Sequence, residues 1–135
     1  MTETRLIDSS IWLDFINKQS EPTLNQRIQE LIEIRHAAWC PMIRLELQRS
    51  TKDRESALSL LAEVILPLEI ENEVWEMADE IARTAYRVGK VIPNTDILIY
   101  ATALHHGTHV FHNDKHFDWL DEITDNSIGE RLLPS

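Results

Sequence analysis

The chain has 135 residues, 43% of them apolar, which suits one core and a single domain over residues 1–135. Its net charge of -10 excludes a dedicated duplex-DNA binder, which presents a basic surface. The apolar runs are short and broken by charges, which excludes a membrane span of roughly 20 residues; the opening Met1-Thr2-Glu3-Thr4-Arg5 lacks the apolar stretch of a signal peptide and the lone Cys40 cannot close an internal disulfide, so a cytoplasmic location is expected.

Arg5-Leu6-Ile7-Asp8 predicts a short buried strand ending in Asp8. Ser9 or Ser10 then caps a helix carrying Ile11, Trp12, Phe15 and Ile16. After the break at Ser20-Glu21-Pro22, Thr23 starts an amphipathic helix with Leu24, Ile28, Leu31, Ile32 and Arg35. Ala37 to Cys40 predicts a second strand, and Pro41 suits the first turn of a helix that carries Glu46. Asp53 opens a further helix with Leu58, Leu61, Ala62 and Ile65, followed by an extended connection or edge strand from Pro67 to Ile70.

The clearest helix places Val74, Trp75, Ala78, Ile81, Ala82, Ala85 and Val88 on one face and stops at Gly89. Pro93-Asn94-Thr95 starts another, running to Gly107. Thr108 to Phe111 is a predicted strand, with Asp114 just beyond it. A short helical patch from Phe117 to Leu120 follows, and the tail from Ser127 to Leu133 offers a last strand. Short apolar strands alternating with helices predict an α/β sandwich, a mainly parallel sheet of four or five strands covered on both faces.

Four acids stand at the edges of these apolar segments: Asp8, Glu46, Asp96 and Asp114. A buried carboxylate with no compensating partner costs several kcal/mol, and a shared divalent cation would compensate all four. Asp8 and Asp114 both follow strands, and in open α/β sheets ligands bind outside the carboxyl ends of the strands. Asp96 falls in the first turn of a helix, where the dipole favours a negative charge. Mg²⁺ and Mn²⁺ take oxygen ligands and combine carboxylates with a substrate phosphate, which suits phosphodiester hydrolysis. Like charges held this close also predict that one of them takes up a proton readily when no cation is present. Taken singly, each acid has a plainer reading, as a helix cap for Asp96 and a solvated face for Glu46.

The segments bearing these acids resemble the PIN domain family, in particular its VapC-type toxins. Leu6 to Trp12 is similar to the family's opening strand with its metal-binding Asp, here Asp8. Arg44-Leu45-Glu46-Leu47 is similar to the helix that bears the family's Glu, Gly89 to Ala101 to the block with the third acid at Asp96, and Val110 to Phe117 to the closing block with Asp114 and the aromatic Phe117. The resemblance spans nearly the whole chain; the motifs are individually weak, and their order and spacing carry the specificity.

It implies a PIN-like α/β/α fold and an Mg²⁺- or Mn²⁺-dependent endoribonuclease. Asp8, Asp96 and Asp114 would be the direct or water-mediated ligands, with Glu46 holding a second metal or positioning the water. It further implies an RNA substrate, a homodimer and a cognate basic DNA-binding antitoxin that reaches into the acidic site. A solitary PIN nuclease, or an inactive PIN-like interaction module, is the alternative.

One departure is His112, where the family often has Thr or Ser near the metal. Asp118 is a possible substitute or helper for Asp114, with helix capping as its plain role, and Ser9 either orients Asp8 or caps the helix. Three rival chemistries fare worse. His105, His106, His109, His112 and His116 cross a helix end, a strand and a loop, so a shared zinc site is disfavoured and solvated rings are expected. A haloacid dehalogenase-type phosphatase needs a second Asp two residues after Asp8, where Ser10 stands. No Gly-rich loop follows a strand, which argues against a P-loop or dinucleotide fold. Trp12, Trp39, Trp75 and Trp119 are expected in the core or at a dimer contact, and RNA would be met by scattered cations such as Arg44, Arg49, Lys52, Arg54, Lys90 and Lys115.

Overall fold

A computed structural model describes residues 3–50 and 54–131, with side chains at 3–49 and 58–131. Its elements run β1 (Arg5–Ile7), α1 (Ser9–Ile16), α2 (Pro22–Glu33), β2 (Ala37–Trp39), α3 (Pro41–Ser50), α4 (Arg54–Ala62), β3 (Leu66–Pro67), α5 (Asn72–Arg87), α6 (Asn94–His106), β4 (His109–His112), α7 (Lys115–Thr124) and β5 (Gly129–Arg131). The five strands form one sheet in the order β3-β2-β1-β4-β5, and every pairing is parallel. This is the predicted α/β/α sandwich. Parallel neighbours need crossover connections, which the helices supply.

β1 lies at the centre, with Leu6 opposite Ala38 of β2 and Val110 of β4. Leu6, Ile7, Ala38, Trp39, Val110 and Phe111 are buried, as strands covered on both faces require. The order reverses direction from β1, where the chain first builds outward through β2 and β3 and then returns to β4. Such a switch point opens a crevice at the carboxyl ends of the strands.

Several boundaries move by local chemistry. α2 begins one residue early because Pro22 fits its first turn and the Glu21 side chain accepts from the Leu24 amide at 3.3 Å. Arg35, expected within that helix, instead turns the chain toward β2 with a φ of 63°. β3 is a two-residue edge strand at Leu66–Pro67, where a proline is tolerated. α7 extends to Thr124 because Asp114 caps it and Asp125, at φ 55°, closes it. Asp53, the expected helix start, and Leu133, the expected end of the last strand, lie outside the described residues.

α5 buries Val74, Ala78, Ile81 and Ala85, the predicted stripe, and Gly89 follows its end with a φ of 75°. Trp75 departs from that stripe: it is 53% exposed, as is Val88 at 55% beyond the last helical residue. The tryptophans therefore divide, with Trp12 and Trp39 in the core, Trp119 half-buried and Trp75 on the surface. Among the described residues no helix is long and apolar enough to cross a membrane.

Candidate metal centre

β1 ends at Ile7, so Asp8 emerges at the carboxyl edge of the central strand and serves as the N-cap of α1. Its side chain makes no capping bond; Ser10 Oγ donates to Asp8 Oδ2 at 2.8 Å. The serine that orients Asp8 by its hydroxyl is thus Ser10 rather than Ser9, and the cap is Asp8 itself. Asp8 is 6% exposed, and burial raises its carboxyl pKa to about 6, helped by repulsion from Asp96 and Glu46 and opposed by the Ser10 hydroxyl. Asp8 thus takes up a proton more readily than an ordinary carboxylate, chiefly because it is buried, and the like charges around it add to the effect.

Glu46 projects from α3, the helix entered directly from β2 through Pro41. Its Oε1 is buried and has no hydrogen-bond partner. Asp96 lies in the first turn of α6, where Pro93 is the N-cap and makes no side-chain capping bond. The carboxylate of Asp96 instead meets His116 Nδ1 at 3.1 Å. Burial raises its pKa, and Asp114 pushes the same way while the His116 ring opposes. Asp114 follows β4 and does cap α7: its Oδ1 accepts from the His116 amide at 2.9 Å and lies 3.1 Å from His116 Nδ1.

The four predicted acids feel one another's charge, but only Asp96 and Asp114 share a tight ligand-spaced group, with His116, and Asp8 and Glu46 are not in it. Asp8 is repelled by Asp96 and Glu46, and Asp96 by Asp114 and Glu46. Among the described residues no Lys or Arg pairs with any of the four. One oxygen each of Asp96 and Asp114 and one nitrogen of His116 lie within 4.8 Å of one another, a spacing that a single cation can span. A donor set rich in carboxylate oxygens, with a buried orphan oxygen at Glu46, fits a hard divalent cation.

His112 does not reach into this group. Its buried ring sits against Phe117 with centroids 5.0 Å apart, and its Nδ1 accepts from the Asp114 amide at 3.1 Å. An accepting Nδ1 places the ring proton on Nε2. Burial lowers the pKa of His112, so the neutral ring holds the Asp114 backbone in place. Asp118 points elsewhere, with Oδ2 taking Arg131 Nε at 2.9 Å and Nη2 at 2.6 Å. Arg131 lies in β5, and this pairing removes Asp118 from the acidic group.

The five histidines do not share one site, but His105 and His106 stay together, their rings 5.1 Å apart, and one nitrogen of each lies within 4.8 Å of a Glu71 oxygen. His105 Nε2 meets Glu71 Oε2 at 3.2 Å, His106 Nε2 donates to the Glu69 carbonyl at 2.8 Å, and His109 Nδ1 lies 3.3 Å from the Ile128 carbonyl. His112 is buried, and His116 joins the acids. His116 is the site residue that the sequence pattern missed. Its separation of two residues from Asp114, across a helix start, is the signal that could have found it.

A parallel α/β domain with a cluster of acids outside the carboxyl ends of its strands defines the class of protein. A model of the PIN domain matches residues 5–123, and the chain belongs to that family. Its sequence is 29% identical over 120 residues to ribonuclease VapC21 of Mycobacterium tuberculosis, covering 84% of this chain and 86% of the relative. It is 27% identical over 125 residues to ribonuclease VapC11 of the same species, covering 88% and 92%. In fold it is similar to VapBC2 of Rickettsia felis bound to a promoter DNA fragment, with a TM-score of 0.79, 18% identity and coverage of 96% and 98%. The DNA-bound VapBC of Salmonella typhimurium gives a TM-score of 0.76 at 14% identity, again covering 96% and 98%.

Proposed function

We propose that this chain is a divalent-metal-dependent endoribonuclease that acts as the toxin of a toxin–antitoxin pair. The observation that carries the reading is that Asp8, Glu46, Asp96 and Asp114 repel one another beyond the strand ends while, among the described residues, no Lys or Arg pairs with any of them. The names of the sequence relatives, ribonucleases VapC21 and VapC11, support the choice of RNA.

In this reading Asp8, Asp96 and Asp114 hold Mg²⁺ or Mn²⁺, and the His116 nitrogen is close enough to Asp96 and Asp114 to join. A cation held by these residues would lower the pKa of a bound water and offset negative charge on the phosphate. Glu46 positions the attacking water through its orphan Oε1, or holds a second cation. Ser10 fixes the rotamer of Asp8, and His112 fixes the loop that carries Asp114. Attack in line at phosphorus leaves a 5′-phosphate and a 3′-hydroxyl.

A cognate antitoxin is the expected partner, in line with the VapBC complexes whose fold this chain resembles. An antitoxin Arg or Lys laid against these carboxylates would form charge-assisted bonds, and a net charge of -10 suits a basic, DNA-binding partner. The exposed Trp75, Tyr86, Val88 and Val91 supply an apolar surface for a homodimer. A cytoplasmic site of action agrees with an RNA substrate. Incubating the purified chain with RNA in Mg²⁺ or Mn²⁺, then in EDTA, tests the activity. Cleavage only with the cation, with 5′-phosphate ends, is the expected result; cleavage that persists in EDTA refutes the metal dependence.

A further inference from the structure

The acidic centre has a repulsion problem that its own ligands do not solve. A strand of RNA brings several phosphates, while a cation among the acids meets only the scissile one. In a chain of net charge -10, the neighbouring phosphates need protein cations close by.

Two such cations share one aromatic ring. Lys90 Nζ stands 4.4 Å from the centroid of Trp119, and Lys115 Nζ stands 5.2 Å from it. Lys90 comes from the loop between α5 and α6, and Lys115 is the first residue of α7. Among the described residues neither lysine pairs with a carboxylate, although acids outnumber basic residues by 23 to 13 in the chain. The negative face of the indole offsets the repulsion between two ammonium groups and holds them together. Trp119 is half-buried and packs on the core, so its position is fixed by the fold.

The same ring touches the acidic centre. His116 meets Trp119 edge-on with centroids 5.5 Å apart, and His116 Nδ1 is 3.1 Å from Asp96 and from Asp114. The lysine pair is thus joined to the acids through one ring contact, Trp119 on His116, and through the chain, where Lys115 directly follows Asp114.

We propose that Lys90 and Lys115, seated on Trp119, bind the phosphate of single-stranded RNA next to the scissile bond. The inference rests on the ribonuclease reading and adds the substrate contact to it. The lysines supply the charge, and Trp119 is a positioning residue that holds them. Single-stranded RNA fits because its flexible backbone can place one phosphate among the acids and the next on a paired ammonium a few ångströms away.

The test uses the full chain carrying Asp8→Asn, so that RNA is bound without being cut, and a 5′-labelled oligoribonucleotide of mixed sequence in Mg²⁺ at several KCl concentrations. Fluorescence anisotropy should show Lys90→Ala/Lys115→Ala raising Kd about tenfold, with the slope of log Kd against log salt falling by about 0.7, the value for one phosphate contact to a single strand. Lys90→Arg/Lys115→Arg should restore both readouts. Trp119→Phe should retain part of the affinity, because its ring keeps a negative face. In the otherwise wild-type chain the alanine pair should raise KM and leave kcat nearly unchanged. An unchanged Kd and salt slope in the alanine pair overturns the lysine assignment alone. A parent chain that binds no RNA, together with a wild-type chain that cleaves none, overturns the ribonuclease reading and this inference with it.

Discussion

His116 Nδ1 lies 3.1 Å from Asp96 Oδ2 and so joins the start of α7 to the first turn of α6 across twenty residues of sequence. The contact brings a nitrogen donor into a group otherwise made of carboxylates. Imidazole favours transition metals, whereas Mg²⁺ prefers oxygen. His116→Ala should therefore weaken Mn²⁺ binding by about tenfold and Mg²⁺ binding much less. Isothermal titration of each ion into both proteins checks this, and equal losses for the two ions would show that the ring is no ligand.

Asp8 links the site to stability. Its folded-state pKa of about 6 lies above the ordinary value of 3.8, so the protonated form favours the fold. Its contribution is intact below pH 3.8 and is lost as the pH rises through about 6. The ionised group then weakens the fold by about 3 kcal/mol, the difference of the two values at 1.36 kcal/mol per unit. Asp8→Asn should raise the stability at pH 7.5 by up to that amount, with the gain vanishing near pH 4, as followed by urea unfolding across pH. A variant no more stable than wild type at pH 7.5 would refute the strain assigned to Asp8.

Asp121 serves the scaffold and not the acidic centre. Its Oδ1 accepts from the Tyr100 hydroxyl at 2.7 Å and the Ile128 amide at 3.0 Å, and its Oδ2 from the Gly129 amide at 2.9 Å. Removing a carboxylate that satisfies three donors costs about 3 kcal/mol. Asp121→Ala should show that loss in denaturant unfolding, with Mn²⁺ affinity within about twofold of wild type. Preserved stability would remove Asp121 from this role.

Gly129 leaves no room for a side chain. A Cβ there would stand 2.8 Å from Asp121 Oδ2 and 2.9 Å from His112 Nε2. His112 holds the Asp114 amide through its other nitrogen, so it cannot move freely. Gly129→Ala should cost about 2 kcal/mol through overpacking, read as a lowered urea midpoint. An unshifted midpoint would mean that β5 yields without cost.

The fold was legible where periodicity and punctuation agree. The buried positions of α5 recur at helical spacing, and Gly89 marks the stop just beyond. Trp75 was misplaced because apolar identity was taken as burial; it stands beside Val74 on the helix, one step around from the buried side. Asp8 and Asp114 could be placed because each follows a strand, and Asp96 because it opens a helix. Contacts made through tertiary packing were not legible. Nothing local says that Asp118 reaches Arg131, that Ser10 rather than Ser9 turns toward Asp8, or that His116 leaves its neighbouring histidines for Asp96.

The central claim is that these acids share a divalent cation in order to cut RNA. The most direct measurement compares RNA cleavage in Mg²⁺ by the wild-type chain, Asp8→Asn and Asp96→Asn, each shown to be folded by circular dichroism. Wild-type cleavage with both variants at the level of the enzyme-free control is the predicted result; undiminished cleavage by both variants would contradict the account.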